Sequence, residues 1–382
     1  MSASKRIPQL DGLRGLAIAM VVIHHAYHVK LLWMGVDVFF VLSGFLITSI
    51  LLKEKAKSFG GYIGSFYAHR ARRILPAYLL ALVIVGAVVT NGWIHFWPYY
   101  FGAMNFLQPL GIHQSEVLPL WSLAVEEQFY LLWPLAVFWM SRKHLIWLSS
   151  TLLVLAPILR FLCTPLSKEP WMIYMLLPFR MDTLAVGALI AIAGTLVPRK
   201  LYAAALAAGL GGFLLLSHYH VSTYANTRIG NTLVYECTLL IAFGMFAYAL
   251  EATSKALAWT PLRSLGTISY SVYLMHLLVL SLIPYRPLAI AAVLGYSTLS
   301  WFYYEKPILR YRRGETALPA QAQSATRTKL AWAPFAQAKE PPAPAVRTTR
   351  DPVAPAGRGG MPSPGSGEAG SSILSAPQHH QR

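Results

Sequence analysis

The chain has 382 residues, of which 55% are apolar and only 12% charged, and it carries 32 Lys and Arg against 15 Asp and Glu, with a mean hydropathy of +0.48. Charged residues make up about a quarter of a soluble domain, so this composition excludes a soluble globular enzyme. Two cysteines, Cys163 and Cys237, both in or beside apolar runs, exclude a disulfide scaffold.

The apolar residues gather into ten runs, at 13–30, 34–52, 74–92, 118–140, 144–163, 172–197, 201–217, 232–250, 267–283 and 287–304. Runs of roughly 17–22 residues match the ~30 Å hydrocarbon core of a bilayer. They predict an all-α integral membrane protein with about ten transmembrane helices. Of the 25 Lys and Arg in the first 313 residues, 18 fall in segments on the side of the N-terminus and 4 on the other, with Arg14, Arg160 and Arg180 inside or at the edge of runs. That bias puts both termini in the cytoplasm by the positive-inside rule. The net charge of +17 is therefore mostly topology, and no compact basic domain remains to hold a nucleic acid. The first run reads as a retained helix, since Arg14 interrupts its start and no small-x-small cleavage site follows. Residues 1–313 form the membrane domain. Residues 314–382, with 10 of the 25 prolines and much Ala, Gly and Ser, read as a disordered cytoplasmic tail.

Ionisable groups inside spans carry the functional signal, because each costs at least ~2.5–3.5 kcal/mol at a helix centre. In the first run Arg14 and His25 are eleven residues apart, about 1100° of rotation, and so lie on one helix face about 16 Å apart. Either residue alone is explained by snorkelling or a bond to a neighbouring helix; together they read as two ends of a polar channel. His24 and His28 stand at i,i+4, but no third ligand follows at a zinc spacing, so no metal is expected. The segment 53–73 is the densest in basic residues. Its Arg70 and Arg73 either anchor anionic lipid or receive a multiply phosphorylated ligand from the cytosol.

In the fourth run the adjacent Glu126 and Glu127 point about 100° apart, so at most one faces a given pocket squarely. Arg180 and Asp182 open the sixth run and are expected to pair with each other and orient helices. Glu236, in the eighth run, has no evident partner in the sequence.

Taken together, these residues resemble the membrane acyltransferase family of type three. The resemblance rests on Asp11-Gly12-Leu13-Arg14-Gly15 with His25, on Gly35-Val36-Asp37-Val38-Phe39-Phe40-Val41-Leu42-Ser43-Gly44-Phe45-Leu46-Ile47, and on Phe66-Tyr67-Ala68-His69-Arg70-Ala71-Arg72-Arg73-Ile74-Leu75-Pro76. It continues in Trp121-Ser122-Leu123-Ala124-Val125-Glu126-Glu127-Gln128-Phe129-Tyr130, Phe179-Arg180-Met181-Asp182, Leu265-Gly266-Thr267-Ile268-Ser269-Tyr270-Ser271-Val272-Tyr273-Leu274-Met275-His276 and Tyr304-Glu305-Lys306-Pro307. It covers nearly all of residues 7–313; the tail lies outside it, and no fused extracytoplasmic hydrolase-like domain is expected.

The resemblance implies a bacterial inner-membrane enzyme that transfers an acyl group, most often acetyl, from acyl-CoA to an extracytoplasmic glycan or glycoconjugate: O-antigen, exopolysaccharide, peptidoglycan or a glycosylated natural product. No cofactor is expected beyond acyl-CoA as co-substrate; the other partners are the glycan acceptor and the lipid bilayer. On this reading Arg14, Arg70 and Arg73 hold the phosphates of the donor, and His25 is the general base or a transient acyl carrier. Glu126 or Glu127 orients His25 or binds the sugar. Arg180, with Asp182, stabilises the oxyanion or holds the acceptor, and Tyr273 and His276 are supporting donors. The competing classes are a transporter or flippase of a lipid-linked sugar, and a non-catalytic receptor or scaffold. Neither inverted repeats nor matched Gly/Pro-broken helices are legible for the transporter, and intact Arg14 and His25 argue against the scaffold.

Overall fold

A computed structural model describes residues 7–89, 100–112 and 117–310. The expected tail at 314–382 lies outside the described residues. Within them the chain is helical, with no strand. The α-helices are α1 (Pro8–Tyr27), α2 (Gly35–Glu54), α3 (Phe59–Val88), α4 (Leu120–Trp139), α5 (Arg142–Cys163), the five-residue α6 (Trp171–Met175), α7 (Met181–Ala193), α8 (Arg199–His218), α9 (Tyr235–Leu250), α10 (Thr260–Leu282), α11 (Arg286–Ser300) and the short α12 (Lys306–Arg310). Among the described residues, six helical segments are long and apolar enough to cross a membrane: Lys30–Glu54, Phe59–Val88, Arg142–Leu166, Arg199–His218, Gly230–Leu250 and Thr260–Leu282. Helices α1 and α4 are diluted by the charges that build the site, while α7 and α11 are shorter, at 13 and 15 residues.

Local chemistry sets the helix ends. Pro8 opens α1, where its missing N–H is not needed, and His28 closes it in the left-handed region with its N–H on the carbonyl of His24. Ser58 and Ser141 cap α3 and α5 by accepting the backbone N–H three residues on. Two elements depart from the expected runs. Helix α3 begins at Phe59, not near 74, so Arg70 and Arg73 sit well inside a helix and not in a loop. The sixth run is broken: Pro178 lies in a 3₁₀ turn at Leu177–Phe179 between α6 and α7.

Close helix pairs hold the centre. A Cβ on Gly15 would lie 2.0 Å from the carbonyl oxygen of Leu262, and one on Gly266 would lie 1.9 Å from that of Asp11. Only glycine lets the backbones of α1 and α10 meet this closely, the close approach that small residues allow between membrane helices.

Cross-contacts fix the register around the centre. On α2 and α4, Phe40 meets Trp121, Ser43 meets Glu126 and Thr48 meets Trp133, so these helices run parallel. Helix α3 runs against α4, with the Tyr62 hydroxyl on the Pro134 carbonyl and the Tyr67 hydroxyl on that of Tyr130. Helices α1 and α10 run parallel, from Gly15 beside Gly266 to His25 beside His276.

Candidate functional site

A cavity opens between α1, α2, α3, α4 and α10. Toward the end where α1 and α10 begin it presents Arg14, Arg70, Arg73, Glu126 and Tyr130; toward the other it presents Val36, Phe39, Phe40, Ser122 and Tyr273. From Tyr130 to Ser122 is eight residues of α4, about 12 Å of helix axis. The structure thus brings six of the expected residues to one cavity: Arg14, Arg70, Arg73, Glu126, Glu127 and Tyr273.

The three arginines come from α1 and α3, and among the described residues none of them makes an ion pair. Arg70 stacks on the rings of Tyr130, at 5.5 Å, and Phe66, at 6.0 Å. The two carboxylates differ sharply. Glu126 accepts from Ser43 Oγ at 2.5 Å through one oxygen and from the Tyr130 hydroxyl at 2.8 Å through the other. Glu127 has no hydrogen-bond partner among the described residues and reaches toward Gly102.

His25 and His276 lie one turn beyond Tyr273 and do not line the cavity. His25 Nδ1 is 2.9 Å from the Val21 carbonyl, and His276 Nδ1 is 2.7 Å from the Tyr273 carbonyl. A carbonyl only accepts, so each Nδ1 bears the hydrogen. His276 Nε2 is then a lone-pair acceptor, 3.3 Å from His25 Nδ1. His276, expected as a donor, therefore accepts from His25, and the arrangement leaves the lone pair of His25 on Nε2. The Tyr273 hydroxyl bonds Ser122 Oγ at 2.6 Å. Tyr273 thus joins the cavity to the imidazole pair.

Arg180 and Asp182 are placed elsewhere, and they do not pair with each other. Arg180 is ion-paired with Asp37 on α2, and both are 1% exposed. Its guanidinium is ringed by Tyr235, Trp33, Phe40, Tyr174 and Trp121, with centroids 4.8 to 5.9 Å away. Asp182 pairs with Arg160 at 2.7 Å, and Arg160 also pairs with Glu236 and donates to the Phe179 carbonyl at 2.6 Å. In the sequence Arg160 stands out only as a charge within a run, and Glu236 has no evident partner; each is the other's answer. Phe40 is the partition between the two regions, because it lines the cavity and also packs on Arg180. Among the described residues no group of three His, Cys, Asp or Glu converges to hold a metal ion.

A multi-pass helical membrane protein with a cationic cavity leading to a paired imidazole is the class that this fold and site define. Residues 7–304 match the family model described as an acyltransferase domain, and the chain belongs to that family. It is 31% identical over 314 residues to the peptidoglycan O-acetyltransferase OatA of Listeria monocytogenes, covering 73% of this chain and 50% of that one. It is 30% identical over 307 residues to the putative peptidoglycan O-acetyltransferase YrhL of Bacillus subtilis (71% and 48%), and 27% over 316 residues to the O-acetyltransferase OatA of Staphylococcus aureus (72% and 51%). The chain thus spans about half the length of these curated relatives. No solved structure matches it.

Proposed function

We propose that this protein is an O-acyltransferase of the bacterial inner membrane, with ten spans and both termini in the cytoplasm, that moves an acetyl group from acetyl-CoA to a hydroxyl of an extracytoplasmic glycan. The names of its relatives favour peptidoglycan among the glycans. The observation that carries the reading is one cavity with three arginines toward one end, without ion pairs among the described residues, and, one turn beyond the other end, an imidazole pair with fixed tautomers.

Arg14, Arg70 and Arg73 hold the phosphates of the donor at the cytoplasmic side, where forked guanidinium groups suit phosphate oxygens. The slender pantetheine arm runs past Leu46, Ser43 and Phe39 toward Tyr273. His25 Nε2 takes the proton of the acceptor hydroxyl as its oxygen attacks the thioester carbon. The resulting imidazolium keeps its Nδ1–H on Val21 and on the lone pair of His276, which steadies the charge. Glu127, the carboxylate without a partner among the described residues, receives hydroxyls of the sugar, while Glu126 is held as a fixed neighbour of the arginines by Ser43 and Tyr130. Arg180 and Asp182 act at a distance, by locking α2, α5, α7 and α9 around the site.

The test is thiol release from acetyl-CoA in nanodiscs, with a panel of glycan acceptors, for wild type and His25→Ala. We expect both to bind acetyl-CoA, wild type alone to release thiol in proportion to ester formed, and the variant to lose turnover by about 10²–10⁴-fold. Thiol release by His25→Ala removes the residue from the base role. Movement of a lipid-linked sugar across a vesicle without consumption of acyl donor makes the protein a transporter.

A further inference from the structure

A thioester carbonyl under attack develops negative charge on oxygen, and a site that speeds the step needs hydrogen-bond donors aimed there. Six hydroxyls line the cavity: Ser43, Ser122, Tyr130, Ser269, Tyr270 and Tyr273. Four are already spent. Ser43 and Tyr130 donate to Glu126, Ser269 donates to the Gly266 carbonyl at 2.9 Å, and Tyr270 donates to the Ile74 carbonyl at 3.3 Å.

Ser122 and Tyr273 differ, because they bond each other at 2.6 Å and one bond consumes one hydrogen. When Ser122 donates to the tyrosine oxygen, the tyrosine hydrogen has no other acceptor among the described residues. In the alternative Tyr273 donates to Ser122 and the serine hydrogen goes to the Pro119 carbonyl at 3.3 Å, so the pair can pass from this arrangement to the first when an acceptor reaches the tyrosine. The first arrangement also polarises the tyrosine O–H, since its oxygen is accepting while its hydrogen is offered. Arg70 stacks on Tyr130, which is about two helical turns from Ser122 along α4. Tyr273 is also the residue whose backbone carbonyl orients His276, and through it His25. Tyr273, one half of the donor pair, and His276, which contacts the base, therefore share one turn of α10.

We infer that the hydroxyls of Ser122 and Tyr273 hold the carbonyl oxygen of the acyl donor, with Tyr273 donating directly and Ser122 strengthening it; this rests on the acyl-CoA reading above. In the transfer step the acceptor O–H proton passes to His25 Nε2 and the acceptor oxygen bonds to the carbonyl carbon. The carbonyl π pair becomes an oxyanion that accepts from the Tyr273 hydroxyl. That pair then re-forms the carbonyl as the C–S bond breaks, and the leaving thiolate takes the proton back from His25.

The test uses two unreactive donor analogues: a ketone in which methylene replaces the thioester sulfur, and S-ethyl-CoA, which has no carbonyl. Wild type in nanodiscs is expected to bind the ketone about ten-fold tighter, a ratio in keeping with a hydrogen bond worth ~1 kcal/mol or slightly more. Tyr273→Phe, which keeps the ring and the carbonyl that holds His276, is expected to bring the ratio to one. It should also slow thiol release on the order of 10²-fold, with the donor KM rising by no more than about ten-fold and the pH profile of turnover unchanged. Ser122→Ala is expected to shrink the ratio, and it carries the test together with the wild-type ratio if Tyr273→Phe does not fold. Equal binding of the two analogues by wild type overturns the hydroxyl pair while leaving the donor reading in place, as does an unchanged ratio in a folded Tyr273→Phe. Binding of neither analogue by wild type overturns the donor reading itself, and this inference with it.

Discussion

Arg160 and Arg180, near the ends of α5 and α7, are the same side chain as Arg14, Arg70 and Arg73 in the cavity, but in opposite circumstances. The first two are 1% exposed and answered by Asp37, Asp182, Glu236 and a ring of aromatic faces. The other three share a cavity and make no ion pair among the described residues. Burying a charge is costly unless it is paired, and the first cluster pairs its charges within the fold, although Arg160 Nε, Arg180 Nε and Asp37 Oδ2 keep no hydrogen-bond partner among the described residues. The cavity arginines are like charges in one space, and on the proposed function the anionic donor relieves their repulsion. Paired arginines hold helices together; on the proposed function, those without an ion pair among the described residues are the ones that hold a ligand.

The comparison breaks most visibly at Arg180. Arg180→Ala leaves Asp37 buried and unpaired, and should cost about 3–5 kcal/mol of stability, read as loss of folded protein or a large drop in thermal midpoint in detergent. Replacing both partners, with Asp37→Leu beside Arg180→Met, should recover most of that loss, because two apolar groups leave no orphan charge. A double variant as unstable as the single would mean that the pair does more than satisfy itself. Arg70→Ala should fall between the regions. It loses stacks on Tyr130 and Phe66 worth about 0.5–1 kcal/mol of stability, and CoA affinity should weaken roughly ten-fold, the equivalent of one charge-assisted bond. An unchanged affinity would assign Arg70 to packing alone. The smallest effect is expected at Glu236, whose side chain is 33% exposed and whose partner Arg160 keeps Asp182. Glu236→Gln should change stability by less than about 1 kcal/mol in the same thermal assay. A larger loss would make it an equal member of the cluster.

The helices were legible because apolar runs of span length are a one-dimensional signal. Among the described residues eleven of the twelve α-helices fall on the ten expected runs, α6 and α7 sharing the sixth, although the proline break at Pro178 and the early start of α3 are not legible in the runs. The Arg14–His25 face was legible for the same reason, since both residues ride one helix of known pitch. Partnerships across helices were not. Asp37 and Arg180 are 143 residues apart, and Ser122 and Tyr273 are 151 apart. Periodicity tells which face a residue is on, but not which helix that face meets. The nearer residue, Asp182, is for that reason the expected partner of Arg180, and the wrong one. The signal for Arg160 was present, as a lone cation in an apolar run facing a lone carboxylate at Glu236, and two unexplained opposite charges at the same depth are a pair worth testing first. The difference between Glu126 and Glu127 depends on Ser43 and Tyr130, and only packing reveals it.

The most direct test of the contrast is a paired measurement on one variant, Arg14→Gln with Arg73→Gln, set beside wild type in nanodiscs: the dissociation constant for CoA and the thermal midpoint without it. Affinity is expected to fall by at least about 100-fold, because two charge-assisted bonds to phosphate are removed, while the midpoint stays level or rises as like charges disappear. Unchanged CoA affinity, or a midpoint that collapses as it does for Arg180→Ala, would contradict the contrast and make the cavity arginines part of the scaffold.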